Sequence, residues 1–402
     1  MSIAPGTADC TALADVVRRF ALQEIAPHVA QWDEAGEFPR SLYGRAAELG
    51  LLGLGYPEEL GGTPATQRLR NALSLPLARY GASGGVFASL FSHNIGLPPV
   101  LHHASPGLQA EVIPPVLRGE KIAALAITEP GGGSDVAALR CSARRDAGDY
   151  VLNGEKVYIT SGMRADYITT AVRTGESGTR GASGISMIVV PTDAAGLSRT
   201  RLQKMGWWCS DTAHLRFDNM RVPARFLVGS EGAGFRMIMR NFNGERLAMS
   251  VGALGFAQAC FDEALDWARQ RRTFGAALVE HQVIRHKLVD MQMRIASTQA
   301  WIEALTAHCD QELAPLPGAG VAQLGRSGPQ SDAEFVAQVC MLKNHATQSM
   351  QFCADQAVQI MGAMGFMRGT RSERIYREVK VMMVGGGAEE IMKELAARQL
   401  GL

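Results

Sequence analysis

Glu245, in the short polar segment 243–247 (Asn-Gly-Glu-Arg-Leu), is a candidate for a catalytic base. A glutamate removes a proton from a weak carbon acid only when its pKa is raised, and burial against apolar groups raises it by disfavouring the charged form. A Glu-Arg pair taken alone is more often a solvated pair on a helix turn, where it contributes little. Glu245 therefore needs further observations before a catalytic role becomes the better interpretation.

Three successive glycines lie in residues 128–135, Thr-Glu-Pro-Gly-Gly-Gly-Ser-Asp, directly after the apolar run 122–127. Such glycines let the backbone approach a flat or phosphorylated ligand closely, and the hydroxyls of Thr128 and Ser134 add hydrogen-bond donors. A plain turn with a helix cap is the alternative interpretation. The chain has neither a GxGxxG segment after a strand nor a P-loop, so a Rossmann domain is not expected.

Three regions with different hydrophobic patterns would position these segments. Apolar residues recur at helical spacing in residues 7–119, whereas residues 121–226 contain short β-branched runs, and Asn153-Gly154 predicts a hairpin turn between two of them. The helical period returns from residue 234, and residues 315–331, rich in Gly, Pro, Gln and Ser, are predicted to be an exposed loop. We predict a mixed α and β, mainly α fold with three domains: N-terminal helical (1–120), middle antiparallel β (121–232) and C-terminal four-helix bundle (233–402).

The composition is that of a globular protein without a long-range electric field. The 402 residues are 47% apolar and 20% charged with a formal net charge of +1, so neither nucleic acid nor an anionic membrane surface is an expected partner. No secretory signal pattern is present and no apolar run approaches the ~18 residues that would span a bilayer, so we expect neither secretion nor membrane insertion. The seven cysteines are scattered without a CxxC pair, which favours the reducing cytoplasm over a disulfide framework or a zinc site.

Five segments, in order and spacing, resemble the acyl-CoA dehydrogenase family. Three lie in the middle region and two in the helical region after it, so the resemblance extends over nearly the whole chain. It is weakest in residues 315–331, which look like an insertion. The segments are 126–135, 152–162, 205–212, 271–275 with His281 and Gln282, and 359–366 with 377–380.

The resemblance implies a reaction and a base. Members of the family remove the α-proton of an acyl-CoA with a glutamate while the β-hydrogen passes as hydride to FAD. Many carry this glutamate in the loop that matches residues 385–388, where this chain has Gly-Gly-Gly-Ala. A second set, isovaleryl-CoA dehydrogenase among them, has Gly or Ala in that loop and carries the base on a helix as Glu-Arg-Leu, as in residues 245–247. Because both features are present together, Glu245 is the expected base.

The same resemblance implies which residues bind FAD. Thr128, Gly133 and Ser134 would hold the isoalloxazine ring, and Tyr158 and Thr160 would lie on its other side. Further matching positions would bind the ADP half of FAD across a dimer interface, where an arginine suits pyrophosphate oxygens. These positions are Arg271, Phe274, Gln282, Gln359 and Gly362.

Substrate contacts and partners are also implied by the resemblance. Ser134, Asn243 and Arg246 match positions near the acyl-CoA, and the backbone N–H of Gly386 would polarise the thioester carbonyl as an oxyanion hole does. The implied partners are an acyl-CoA, an electron-transfer flavoprotein, and further copies of the chain in a homodimer or homotetramer. Whether Phe87, Phe91 or Leu97 faces the acyl group is left open, and so are its length and branching.

Other functions must be weighed against this one. Residues 81–85, Gly-Ala-Ser-Gly-Gly, fit the GxSxG nucleophile elbow of hydrolases, but the elbow needs a preceding strand and residues 72–80 look helical. His281 and His286 are five residues apart, so they do not share a helix face as a metal pair would. Flavoprotein oxidases and monooxygenases share the flavin-binding segments, and a non-catalytic acyl-CoA-binding protein is a further alternative.

Overall fold

The computed structural model describes residues 7–175, 181–312 and 332–402. The predicted exposed loop, residues 315–331, lies outside these ranges. The mixed, mainly α fold class is confirmed, because helices precede and follow a single large β-sheet. Within the described ranges, no helix is both long and apolar enough to cross a membrane.

Short helices form the N-terminal part, and their apolar faces meet around buried side chains such as Phe20, Phe38 and Leu90. Ser83 begins the fifth helix, because its hydroxyl accepts the backbone N–H of Val86 at 3.3 Å. The helices are α1 Thr7–Phe20, α2 Val29–Ala35, α3 Ser41–Glu48, α4 Gln67–Gly81, α5 Gly84–Leu90, α6 His93–Gly96, α7 Pro98–His103 and α8 Pro106–Leu117, and a π-helical turn, Ala21–Ile25, follows α1.

The middle part is an eight-stranded sheet in the order β6-β7-β3-β2-β4-β5-β8, with β1 paired to β4. Most neighbours are antiparallel, but β1 and β2 each pair with β4 in parallel. The loop with three glycines leaves the sheet at the end of β1. The strands are β1 Ala123–Ala126, β2 Ser142–Asp146, β3 Asp149–Thr160, β4 Tyr167–Arg173, β5 Ile185–Pro191, β6 Leu197–Arg201, β7 Thr212–Pro223 and β8 Leu227–Val228.

The predicted hairpin turn at Asn153-Gly154 is wrong. These residues lie inside β3, at a register shift against β7, whereas the turn between β2 and β3 is at Ala147-Gly148. Gly154 has a φ of +136°, and a Cβ on it would lie 2.7 Å from the Cα of Cys141, the residue before β2. Glycine is needed there because the neighbouring backbone comes close, which a turn signal read from sequence cannot distinguish.

Long helices form the C-terminal part. The longest, α9, has 37 residues and therefore extends over about 55 Å. It packs closely on α4, since a Cβ on Gly255 would lie 2.7 Å from the Cβ of Ala78. The elements are α9 Gly234–Gln270, β9 Arg272–Thr273, β10 Ala276–Ala277, α10 Gln282–Glu312, α11 Ala333–Met361, α12 Ala363–Phe366, α13 Arg371–Val384 and α14 Glu389–Leu400.

Candidate active site

Glu245 is the twelfth residue of α9, at the start of its fourth turn, and its side chain is partly buried. Its Oε2 atom is buried, and among the described residues it has no hydrogen-bond partner. Burial raises the pKa of the Glu245 carboxyl to about 7, while the positive charges of Arg246 and Lys343 act in the opposite direction. A carboxylate with this proton affinity and no bound donor can accept a proton near neutral pH.

The glycine-rich segment 385–387 lies beside the Glu245 turn. Arg246 Nε donates a hydrogen bond to the carbonyl oxygen of Gly386 at 2.9 Å, which ties the loop to α9. Gly386 has a φ of +65°, and a Cβ there would lie 3.0 Å from Met249 Sδ, one helix turn after Glu245. Both the backbone conformation and the close sulfur atom favour glycine at this position. The two segments on which the sequence argument depends are therefore neighbours in space.

Asn243 and Arg246 are buried behind the Glu245 turn. Arg246 Nη1 donates to Asn243 Oδ1 at 3.2 Å, and the guanidinium lies 5.4 Å from the ring centre of Phe242. Because Arg246 also holds the Gly386 carbonyl, its guanidinium is engaged by the protein on two sides. In this structure Arg246 supports the loop, and Asn243 accepts a hydrogen bond from it.

Lys343 on α11 is a residue that the sequence analysis missed. Its side chain is 0% exposed, and Nζ donates to the carbonyl oxygens of Met383 at 2.7 Å and Gly387 at 2.8 Å. One signal was available: Lys343 occupies a position in the apolar stripe of α11, where a charged residue indicates a buried partner. The other members of that stripe are Val339, Ala346, Met350, Cys353 and Ala357.

The loop after β1 and the end of β3 form a second surface suited to a ligand. Val157 N–H donates to the carbonyl of Thr128 at 2.9 Å, so the loop lies against β3. Tyr158 is 70% exposed and has a φ of +62°, at a register shift of β3. A non-glycine residue in this conformation is strained, and such outliers often occur where a ligand is held.

The rest of the loop is also open to a ligand. Gly133 and Ser134 are exposed, whereas Thr128 and Thr160 are partly buried. The side chain of Glu129 holds the loop in place, because its carboxylate accepts hydrogen bonds from the backbone N–H groups of Arg140 and Cys141 and from Lys156 Nζ. The remaining loop donors and the Tyr158 ring could therefore receive a flat group.

The positions matched to the ADP half of FAD lie at the opposite end of α9. Arg271 follows the last residue of α9, 26 positions after Glu245, so the two are separated by about 39 Å along the helix axis. Phe274 is 99% exposed with a φ of +51°. Gln282, Gln359 and Gly362 are exposed at the start of α10 and the end of α11, which are adjacent through a 2.6 Å bond between Lys287 Nζ and Gln356 Oε1.

The alternative sites receive no support from the geometry. Ser83 is buried between two helices, α4 and α5, and caps the second, so the strand-to-helix elbow of a hydrolase is absent there. Within the described ranges, no group of three or more His, Cys, Asp or Glu side chains could hold a metal ion. His281 precedes the first residue of α10 and its ring contacts the carbonyl oxygen of Thr273 at 3.2 Å.

Phe87 of α5 approaches the helix that carries Glu245. A Cβ on Gly252 would lie 3.0 Å from Phe87 Cζ, and the Phe87 and Phe256 rings make an edge contact with centres 5.8 Å apart. Gly252 is seven residues after Glu245 and therefore on the same face of α9. Leu97, in contrast, is fully buried in the N-terminal core, and Phe91 is partly buried against it.

Comparisons with known proteins agree along the chain. Family profiles of acyl-CoA dehydrogenase match as the N-terminal domain at residues 7–120, the middle domain at 124–220 and the C-terminal domain at 232–401. The cyclohexane-1-carbonyl-CoA dehydrogenase of Geobacter metallireducens is 33% identical, covering 96% of this chain and 96% of its own. The mitochondrial long-chain specific acyl-CoA dehydrogenase of Mus musculus is 32% identical, covering 96% and 84%. A crystal structure of a putative acyl-CoA dehydrogenase from Mycobacterium smegmatis superposes with a TM-score of 0.90 at 41% identity, covering 100% and 99%.

Proposed function

This chain belongs to the acyl-CoA dehydrogenase family, and from that premise we propose that it dehydrogenates an acyl-CoA thioester to the trans-2-enoyl-CoA. The proposed cofactor is FAD and the proposed electron acceptor is an electron-transfer flavoprotein. The observation that carries the proposal is the Glu245 carboxylate, whose Oε2 atom is buried without a hydrogen bond to a described residue, beside the glycine loop 385–387. A proton acceptor, the Glu245 carboxylate, therefore lies near a loop whose backbone N–H groups could donate to a substrate carbonyl.

Glu245 would remove the α-proton of the thioester. Burial raises its pKa to about 7, so its proton affinity is higher than that of a solvated glutamate. The backbone N–H of Gly386 would donate to the thioester carbonyl, where negative charge develops as the α-proton leaves. Glycine keeps this N–H, and the bond from Arg246 to the Gly386 carbonyl keeps the loop against α9.

The surface around the loop after β1 fits FAD. Thr128, Gly133 and Ser134 would hold the ring, with Tyr158 and Thr160 against it, and the exposure and strained backbone of Tyr158 support this assignment. FAD would supply the acceptor for the β-hydrogen and its electron pair. Ser134, at the exposed end of the loop, is also the proposed contact to the substrate.

A second copy of the chain would complete the cofactor site. If Glu245 is the base, the ring of FAD would lie near it, whereas Arg271 is about 39 Å away along α9. The exposed Phe274, Gln282, Gln359 and Gly362 would therefore bind the ADP half of the FAD held by another subunit. A homodimer or homotetramer is therefore the proposed assembly.

A reducing compartment such as the cytoplasm is the proposed location. All seven cysteines are free thiols, and six of them are buried. A chain with this arrangement does not depend on disulfides for stability.

Anaerobic addition of a panel of acyl-CoA thioesters to the purified yellow protein tests the function. We expect at least one of them to bleach the FAD absorbance, with slow reoxidation when air is admitted. Rapid hydrogen peroxide formation in air would instead identify an oxidase. A purified protein that binds acyl-CoA but carries no FAD would contradict the proposal and indicate a non-catalytic binding protein.

A further inference from the structure

Lys343 is a buried cation with its donors directed at backbone. It lies on α11, and its ammonium donates to the carbonyl oxygens of Met383 and Gly387, at 2.7 and 2.8 Å. The first of these is near the end of α13 and the second is in the glycine loop. Burying a lysine is costly unless its donors are satisfied, and a methionine could fill the same space without that cost. The position of the charge therefore calls for a reason besides packing.

The loop is held by two cations from two different helices. Arg246 of α9 binds the carbonyl oxygen of Gly386, and Lys343 of α11 binds that of the next residue, Gly387. Both glycines have positive φ values, +65° and +116°, so the loop backbone has conformational freedom that only external contacts can remove. With two consecutive carbonyl groups bound, the orientations of the adjoining peptide planes are restricted. No acceptor among the described residues lies against the N–H of Gly386.

We propose that Lys343 is a positioning residue for the glycine loop, fixing residues 383–387 so that the Gly386 N–H meets the thioester carbonyl. This inference rests on the proposed dehydrogenase function. Lys343 does not touch the substrate and acts through the loop. Arg246 restrains the loop from one side, and Lys343 provides the second restraint.

The charge of Lys343 also acts on Glu245. The charged groups that act on Glu245 are Arg246 on its own helix and Lys343 on α11, and both lower its pKa. Lys343 is in turn influenced by Arg246, Cys340, Glu389 and Glu245, and burial lowers the pKa of its ammonium to about 8. Replacing Lys343 by a neutral residue should therefore raise the pKa of Glu245 whichever role the lysine has, so the position of the loop needs a readout of its own.

The main experiment compares the FAD-loaded Lys343→Met variant with wild type and with Lys393→Met as a matched control. Lys393 lies on α14 just after the same loop, but its ammonium binds the Glu389 carboxylate at the exposed surface. Two spectroscopic readouts are used. Infrared difference spectra across pH, assigned with Glu245→Gln, give the pKa of the Glu245 carboxyl without turnover. The carbonyl stretch of bound enoyl-CoA reports polarisation by the loop.

In Lys343→Met we expect the Glu245 carboxyl to titrate at higher pH and the enoyl-CoA carbonyl stretch to move toward its value in free ligand. We expect kcat to fall by about 10- to 10²-fold, with a smaller change in KM. A displacement of up to ~1 Å in the N–H group that donates to the thioester carbonyl would have an effect of this size. Lys393→Met should match wild type in all three. An unchanged carbonyl stretch in Lys343→Met would overturn the inference.

If Lys343→Met does not fold with FAD, Lys343→Gln replaces it, since its amide can still donate to one of the two carbonyls. One of the two bonds to the loop is then still lost, so a shift of the enoyl-CoA carbonyl stretch toward its free value is still expected, and its absence would overturn the inference. This measurement requires no turnover, so it remains informative if no acyl-CoA bleaches the wild-type flavin. That outcome would refute the dehydrogenase function separately.

Discussion

Two glutamates in this protein have the same raised pKa, about 7, in different surroundings. Glu245 on α9 is partly buried and makes no hydrogen bond to a described residue. Glu378 on α13 is fully buried where the three parts of the chain meet, and its Oε2 accepts the backbone N–H of Gly84 at 2.8 Å. A raised pKa therefore does not by itself identify a base, and bonding and access separate the two residues.

The surroundings of Glu378 are those of a structural junction. Arg374 of the same helix binds Asp33 of α2 at 3.0 Å, and Asp33 also accepts the backbone N–H of Cys209 in the middle part. Burial is the main cause of the raised pKa of Glu378, and the nearby Asp33 charge adds to it. Glu378 thus connects domains, whereas Glu245 remains available to a proton donor from outside.

Glu245→Gln and Glu378→Gln should separate the two residues by rate. Glu245→Gln retains shape and FAD but cannot accept a proton, so we expect turnover to fall by about 10²- to 10⁴-fold. Glu378→Gln keeps an acceptor for Gly84 and should turn over within a few-fold of wild type. Steady-state rates on FAD-saturated protein measure both, and equal losses in the two variants would remove the distinction drawn here.

The raised pKa of Glu378 should also appear in the pH dependence of stability. Glu378 binds its proton more tightly in the folded protein, because its pKa rises from 4.5 to about 7. Its contribution to the free energy of unfolding is present below pH 4.5 and is lost as pH rises through about 7. Relative to Glu378→Gln, wild type should lose up to roughly 3 kcal/mol over this interval. Denaturant unfolding at several pH values measures the difference, and parallel curves would contradict it.

Gly386→Ala tests whether the loop beside Glu245 contributes to catalysis, and a second glycine with a similar φ serves as the control. The new Cβ requires a strained φ and lies 3.0 Å from Met249 Sδ, so the loop must shift. We expect kcat to fall by roughly 10- to 10²-fold through the displaced N–H. Gly401→Ala has a similar φ, +72°, with no atom within 4 Å, and should affect stability alone. Equal kcat values in the two variants would argue against a role of the loop in catalysis.

Phe87→Leu should give the smallest effect, a change in acyl preference. Phe87 lies on Gly252, two turns of α9 beyond Glu245, where its ring would limit the depth available to an acyl chain. A smaller side chain should raise kcat/KM for longer relative to shorter acyl-CoA thioesters by several-fold to about tenfold. Phe261→Leu, 16 residues after Glu245 on α9 and packed in the C-terminal core, is the control. An unchanged ratio for Phe87→Leu would place the acyl chain elsewhere.

The sequence predicted the fold class. It also indicated Glu245 as the base, because segment 243–247 contains Glu-Arg-Leu while segment 385–388 has no carboxylate. Their closeness in space could not be predicted, since it depends on bonds such as that from Arg246 to Gly386, 140 positions apart. Lys343 was missed for the same reason: its carbonyl partners at Met383 and Gly387 are 40 and 44 positions away and leave no side-chain motif.

The position of the hairpin turn was also predicted wrongly, because a tertiary contact rather than a turn requires the glycine. Asn153-Gly154 has the residue types of a hairpin turn, but Gly154 is required by the close backbone of Cys141 within the sheet. The actual turn contains Ala147, with a φ of +53°, a conformation that sequence preference would not assign to alanine.

Exchange of α-hydrogen with solvent tests the central claim, that Glu245 is the base, most directly. An acyl-CoA without a β-hydrogen, such as acetyl-CoA, can lose its α-proton but cannot be dehydrogenated, so deuterium incorporation from D2O reports the proton step alone. By NMR, wild type and Glu378→Gln should incorporate deuterium at similar rates, whereas Glu245→Gln should show none above the rate without enzyme. Incorporation by Glu245→Gln at the wild-type rate would contradict the account.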